Sequence, residues 1–146
     1  MGDRPVNVAA VRDHLLSDRR SWVATALDCA DAVAAGWDGE STPDREQVVP
    51  PYRAALDRAG VLDAAPAVLR ECVAAAGDEL AADPVAAPPY VVVTGEGVLL
   101  RATLDRRLLV HVRAFRLRPS STPGTPPRYE RGGDSPAAAV AVETTD

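Results

Sequence analysis

The sequence predicts an α+β protein: an N-terminal half of about three to four helices, residues 7–77, packed on a C-terminal antiparallel β-meander of three to five strands, residues 90–142. Three observations carry that expectation. Apolar side chains recur every three or four residues through the first half. A proline-punctuated connector, "ADPVAAPP" at 82–89, then has no helical period. Beyond it the apolar period becomes two, and helices followed by strands is the α+β order. With 146 residues the chain suits one domain, 1–146, of a size that buries roughly 68–70% of the surface its unfolded form exposes.

The first helical stripe runs Val8, Val11, Leu15, Trp22, Ala26, Cys29 and Val33, with Asn7 placed to cap its start and Gly36 its end. Its seven-residue step crosses Asp18 and Arg19, so a kink or break is expected near "SDRRS". After "GWDGEST", Ser41 or Thr42 is read as a second cap, with Pro43 in a first turn that tolerates a missing N–H. Pro50-Pro51 must end one short helix and begin another, and Gly60 closes that segment. The last helix, "DAAPAVLRECVAAAG", carries Pro66 near its first turn, buries Val68, Leu69, Cys72, Val73 and Ala76, and stops at Gly77.

"YVVVT" (90–94) reads as a buried strand, "GEG" (95–97) as a three-residue hairpin connection and "DRR" (105–107) as the next turn. In 98–104, Val98, Leu100, Ala102 and Leu104 share a face; in the next strand Leu108, Val110, Val112 and Ala114 do. Phe115 and Leu117 have the opposite parity. A one-residue slip inverts every later side chain, so a β-bulge at or near Ala114-Phe115 is expected to return both to the core. "RPSSTPGTPP" (118–127) reads as a flexible loop over 119–127, "RYERG" and "AAAVAVE" as edge strands, and "TTD" as a fraying end.

All 16 basic residues are arginine, isoleucine and lysine are absent, and 27 residues are alanine. Such a core favours close helix packing over bulky layers. The lysine-free, acidic, amide-poor composition suits a GC-rich genome and a salt-loaded cytoplasm, where net charge aids solubility. No 18-residue apolar run is present, and the N-terminus lacks the basic, then apolar, then small-residue order of a secretory leader. The expectation is a cytoplasmic protein without membrane contact. Cys29 and Cys72, 43 residues apart and without a CxxC pairing, read as buried small hydrophobes.

Charge is unevenly spread: residues 1–87 carry −7, residues 88–131 carry +5 and residues 132–146 carry −3. Arg101, His111 and Arg113 share the parity opposite the apolar set, so a hairpin at "DRR" places them on one sheet face. Contact with an acidic protein surface, on a partner or a second copy of this chain, is one reading of that face. A solvated face of arginine stems is the plain alternative. Nucleic acid is disfavoured. The sheet offers only Tyr90, Phe115 and Tyr129 for stacking, and neutralising five phosphates gives a log–log salt slope of about −4.5.

Catalytic patterns are scarce. No serine sits in a GxSxG elbow, no lysine is present for a Walker loop, and "GEG" joins two strands where a dinucleotide site needs strand then helix. His14, four residues before Asp18, reads as a solvated helix residue in a local ion pair, and Asp78-Glu79 as solvated surface. The reading is a non-enzymatic accessory or interaction domain, binding through Arg101, His111 and Arg113, with no catalytic residue, no cofactor and no metal. A small enzyme or ligand-binding protein, its pocket assembled between helices and sheet, is a further alternative.

The stretches "CADAVAAGWDGESTPDREQVVPPYRAALDRAGV" (29–61), "AAPPYVVVTGEGVLLRATL" (86–104), "LLVHVRAF" (108–115) and "PRYERG" (127–132) resemble an uncharacterised family of small proteins from halophilic archaea. That resemblance implies a helical first half, a strand-rich second half and a salt-adapted cytoplasmic protein. It implies no activity and no site residue.

Overall fold

The computed structural model describes residues 6–145. Helices α1 (Val8–Leu16) and α2 (Arg20–Ala35) come first, then a short strand β1 (Ser41–Thr42) and a 3-10 turn, Arg45–Gln47. Helices α3 (Val49–Arg58) and α4 (Val61–Ala75) follow, then strands β2 (Val91–Thr94), β3 (Gly97–Thr103), β4 (Arg107–Arg113), β5 (Phe115–Arg118) and β6 (Arg128–Arg131). A single turn, α5 (Pro136–Ala139), leads into β7 (Val140–Thr145). No helix among the described residues is long and apolar enough to cross a membrane.

The helices obey their local signals. The Asn7 side chain accepts from the Ala10 amide and caps α1, and the chain breaks at Ser17–Arg19, inside the expected "SDRRS" segment. Pro50 and Pro51 sit in the first turn of α3, where their missing N–H groups cost nothing. Gly60 and Gly77 end α3 and α4 at positive φ, and the Asp78 amide reaches back to Val73 O across the second of these ends. Two expectations need correcting. Pro66 lies inside α4, which already begins at Val61. Ser41 and Thr42 do not cap a helix but pair with Glu130 and Tyr129, while Asp44 takes the cap of the 3-10 turn.

One single meander does not form. Strands β2, β3 and β4 run in hairpin order and β7 adds beside β4, giving an antiparallel sheet β2-β3-β4-β7; β5 belongs to a second antiparallel sheet, β1-β6-β5. The β2–β3 loop holds two residues, Gly95 and Glu96, because Thr94 pairs with Gly97. Gly97 has φ +142°, and a Cβ there would lie 1.9 Å from Val112 O, so only glycine fits this crossing. Thr144 and Thr145 pair with Leu108 and Arg107 instead of fraying, and Asp146 lies outside the described residues.

The parity break at Ala114-Phe115 is real, but it marks a change of sheet and not a bulge within one. Ala114 and Phe115 are both buried, which no continuous strand allows on one face. The Phe115 amide donates to Glu96 O at the β2–β3 tip, 3.0 Å, and the chain then turns into the second sheet. Leu117, expected in the core, is 43% exposed there. Gly132 donates to Ala114 O and Gly133 to Arg113 O, so the strand returning through β6 fastens the same corner. A Cβ on Gly132 would stand 2.9 Å from Arg113 O, closer than a side chain permits.

Helices α1, α3 and α4 cover the four-stranded sheet, α1 against β7, α3 against β2 and α4 against β2 and β3. Phe115, the sole phenylalanine, stands edge-on to Tyr52 at 5.0 Å and tilted to Trp37 at 5.9 Å, with the Arg131 guanidinium 5.9 Å from its ring centre. Each buried aromatic that carries a polar atom has it satisfied. Trp22 donates to Val61 O, Trp37 to Gln47 O and Tyr52 to Ala26 O, at 3.0, 2.9 and 3.0 Å. Arg131 also donates to Ala114 O and to Asp31 on α2, tying the sheet change to the helices.

A second tie fastens α1 to α4. Glu71 accepts a bidentate pair from Arg19, 2.8 and 2.5 Å, and meets His14 Nε2 at 2.8 Å, while His14 Nδ1 lies 3.2 Å from Asp18. The Asp18 contact matches the i, i+4 expectation. The expected solvated setting does not hold, since the His14 side chain is only 17% exposed. The Arg19 hydrogen bonds, more than His14, hold the Glu71 carboxyl at about 2, from an ordinary 4.5.

Truncating Phe115 to alanine should cost about 3–5 kcal/mol, the range for a buried aromatic, read as a lowered midpoint in chemical denaturation. Glu71→Gln should lower the melting temperature at pH 6. A folded-state pKa below the unfolded one stabilises above the unfolded value, so the gap between variant and wild type should close as the pH falls from 4.5 towards 2. A gap that stays constant through that window would show that the carboxylate charge contributes nothing.

Candidate interaction face

Strand alternation divides the four-stranded sheet into two faces. Val91, Val93, Val98, Leu100, Ala102, Leu108, Val110 and Val112 are buried under the helices. The opposite parity carries Val92, Leu99, Arg101, Leu109, His111 and Ala141 half-buried, with Thr103, Arg107, Arg113 and Glu143 exposed. Arg101, His111 and Arg113 therefore do share the outer face.

They do not share one environment. Arg101 faces Leu109 and Arg113 faces Gly97, so four residues of strand, about 13 Å at 3.3 Å each, separate them. Leu99 and Leu109 occupy the middle, with Val92 and Ala141 paired beside Leu99 and His111. His111 Nε2 lies 3.0 Å from Glu143 on β7, so its nearest charged neighbour is a carboxylate and not the arginines that sequence parity put beside it. Arg113 borders a crevice of about 470 Å³ at the sheet change, with Glu96, Phe115 and Arg116. Arg101 borders a smaller hollow, and its Nε is buried with no hydrogen-bond acceptor.

Elsewhere the strand arginines are bound into the fold. Arg116 and Arg118 both meet Glu130, Arg128 donates to Ser41 Oγ and O, and Arg131 reaches Asp31. Among the described residues, the guanidinium groups of Arg101, Arg107 and Arg113 have no partner of their own. All three lie on the outer face. Arg107 falls outside the sequence-predicted face because "DRR" reads whole as a turn; extending the parity of 108–113 by one residue places it there.

The thiols contribute nothing to this surface. Cys29 and Cys72 are free and buried, and burial raises both, Cys72 to about 12, so neither forms a thiolate near neutral pH. Tyr52 is likewise raised by burial and keeps its proton for Ala26 O. The Asp78-Glu79 pair is exposed, with the Asp78 carboxylate accepting from the Glu79 amide.

No curated protein and no solved structure matches this chain. A family model described as a domain of unknown function, DUF7988, matches residues 9–145, nearly the whole of the described fold from α1 to β7. The chain belongs to the DUF7988 family.

Proposed function

We propose that this chain is a small non-enzymatic accessory domain of a salt-loaded archaeal cytoplasm, folded as one domain, that docks an acidic protein surface on the outer face of its four-stranded sheet. The observation that carries this reading is the division among the strand arginines. Those of the second sheet are paired within the fold, while Arg101, Arg107 and Arg113 stand unpaired around the half-buried Val92, Leu99 and Leu109. An apolar middle with arginines at its border is the usual anatomy of a protein contact surface.

Salt favours the same partner class. At 1 M ionic strength the Debye length is about 3 Å, so only charges in direct contact still attract, and arginine forks meet carboxylates at that range. His111, already beside Glu143, supplies a hydrogen-bonding centre between the two arginines.

The test is recovery of the tagged chain from its own cells at native salt, as wild type and as Arg101→Glu with Arg113→Glu. The wild type should return with one stoichiometric acidic protein or with a second copy of itself, and the double variant should lose it by about tenfold or more. Circular dichroism should match between the two, because both side chains lie off the buried face. Unchanged recovery and association state would remove this surface from consideration, and excess 260 nm absorbance in the wild-type eluate would replace the protein partner with nucleic acid.

A further inference from the structure

Arg101 lines a hollow of about 180 Å³ at the β2 end of the outer face, where the connector after α4 comes alongside β3. Leu80, Pro89 and the half-buried Tyr90 form apolar walls, and Thr103 stands beside Arg101 on the same strand. The Arg101 amide donates to Tyr90 O at 2.8 Å, which holds the backbone at the hollow's floor in place.

The charge setting separates this hollow from its neighbours. Three other arginine-bordered crevices contain their own carboxylates: Glu96 beside Arg113, Glu40 and Glu130 beside Arg116 and Arg131, Asp38 and Asp44 beside Arg128. The Arg101 hollow is lined by no acid. Its guanidinium is also partly stripped of solvent, since Nε is buried and has no acceptor from the protein. Nε itself is out of reach of solvent, so an anion brought from outside completes the guanidinium through its terminal amino groups, which are not buried and meet no carboxylate of the protein.

We propose that this hollow is a carboxylate-binding site, in which the Arg101 guanidinium pairs with the carboxylate, Leu80, Pro89 and Tyr90 hold a short apolar stem, and the Thr103 hydroxyl offers a further donor. About 180 Å³ lies below the usual 300–1,000 Å³ of small-molecule sites, which suits a glutamate side chain or a short organic acid and excludes a nucleotide. The proposal rests on the docking face described above in naming an acidic side chain as one source of that carboxylate. A free small acid is the other source.

The experiment titrates the full chain with sodium propionate, replacing sodium chloride at constant ionic strength, and follows the backbone amide resonances of Tyr90 and Thr103. A saturable shift is expected in the wild type and in Arg53→Lys, an exposed α3 position away from the hollow, and it is weakened about tenfold or more in Arg101→Lys. Lysine keeps the charge but not the planar fork, so equal binding by that variant overturns the site. No saturable shift in the wild type overturns it as well, leaving solvent or chloride as the occupant of the hollow.

A parallel titration with a blocked glutamate peptide separates the two sources. Affinity at least tenfold above propionate identifies a protein side chain, and equal affinity identifies a small acid. The outcomes are distinct from those of the docking face. Propionate binding with partner recovery unaffected by Arg101→Glu and Arg113→Glu leaves the site standing alone. Partner loss in the double variant without propionate binding leaves the face standing and removes the site.

Discussion

Everything in this fold depends on the corner at Ala114-Phe115, where one strand leaves the four-stranded sheet and begins the other. A corner of this kind exposes backbone groups of both sheets at once, and each must find a partner or pay a desolvation cost. Here the Glu96 carbonyl takes the Phe115 amide, the Ala114 carbonyl takes the Gly132 amide and an Arg131 guanidinium proton, and the Arg113 carbonyl takes the Gly133 amide. Phe115 plugs the space between sheets and helices against Tyr52 and Trp37. Because so few residues are aromatic, 4% of the chain, this one contact group supplies much of the bulk that an alanine-rich core lacks.

The same corner explains how an anionic protein with a cationic second half distributes its charge. Arg131 is drawn inward to serve the corner, and Arg116 and Arg118 are drawn to Glu130 on the adjacent strand. The arginines of the second sheet thus have partners in the fold, although the side chains of Arg116 and Arg118 remain 71% and 75% exposed. The strand arginines without a partner among the described residues are a narrower set on the first sheet, spaced along its strands and interrupted by leucine and valine. Net charge by segment counts partnered and unpartnered arginines alike; the pairing pattern tells them apart.

Much of this architecture was legible along the chain. The helical stripes, the break near Ser17, the double-proline start of α3 and the glycine stops at 60 and 77 are all local signals, each acting within one turn. The parity break at 114–115 was legible too, but its meaning was not, since a bulge and a change of sheet produce the same one-dimensional pattern. Deciding between them required knowing that residues 128–131 would pair with 115–118. The Glu71 clasp escaped for a similar reason, because Arg19 lies 52 residues from its partner and no periodicity links them. On the outer face, parity placed Arg101, His111 and Arg113 correctly on one side, yet could not register the neighbours brought by β7 and by the connector, Glu143 and Tyr90 among them.

The long ties have a consequence for the order in which the molecule can be assembled. Arg131 reaches Asp31 across 100 residues, and Arg12 donates to Val140 O across 128. Loop-closure entropy must be met before such contacts return anything, and folding slows as contacts become less local. A chain emerging from the ribosome can form its helices and the hairpins of the first sheet early. It cannot secure the corner until residues 131–133 have been made, or cover α1 with β7 until residues 140–145 have, so the helical half waits with apolar surface uncovered. An alanine-rich helical half is well suited to that wait, because the apolar surface it leaves exposed is thin in bulk.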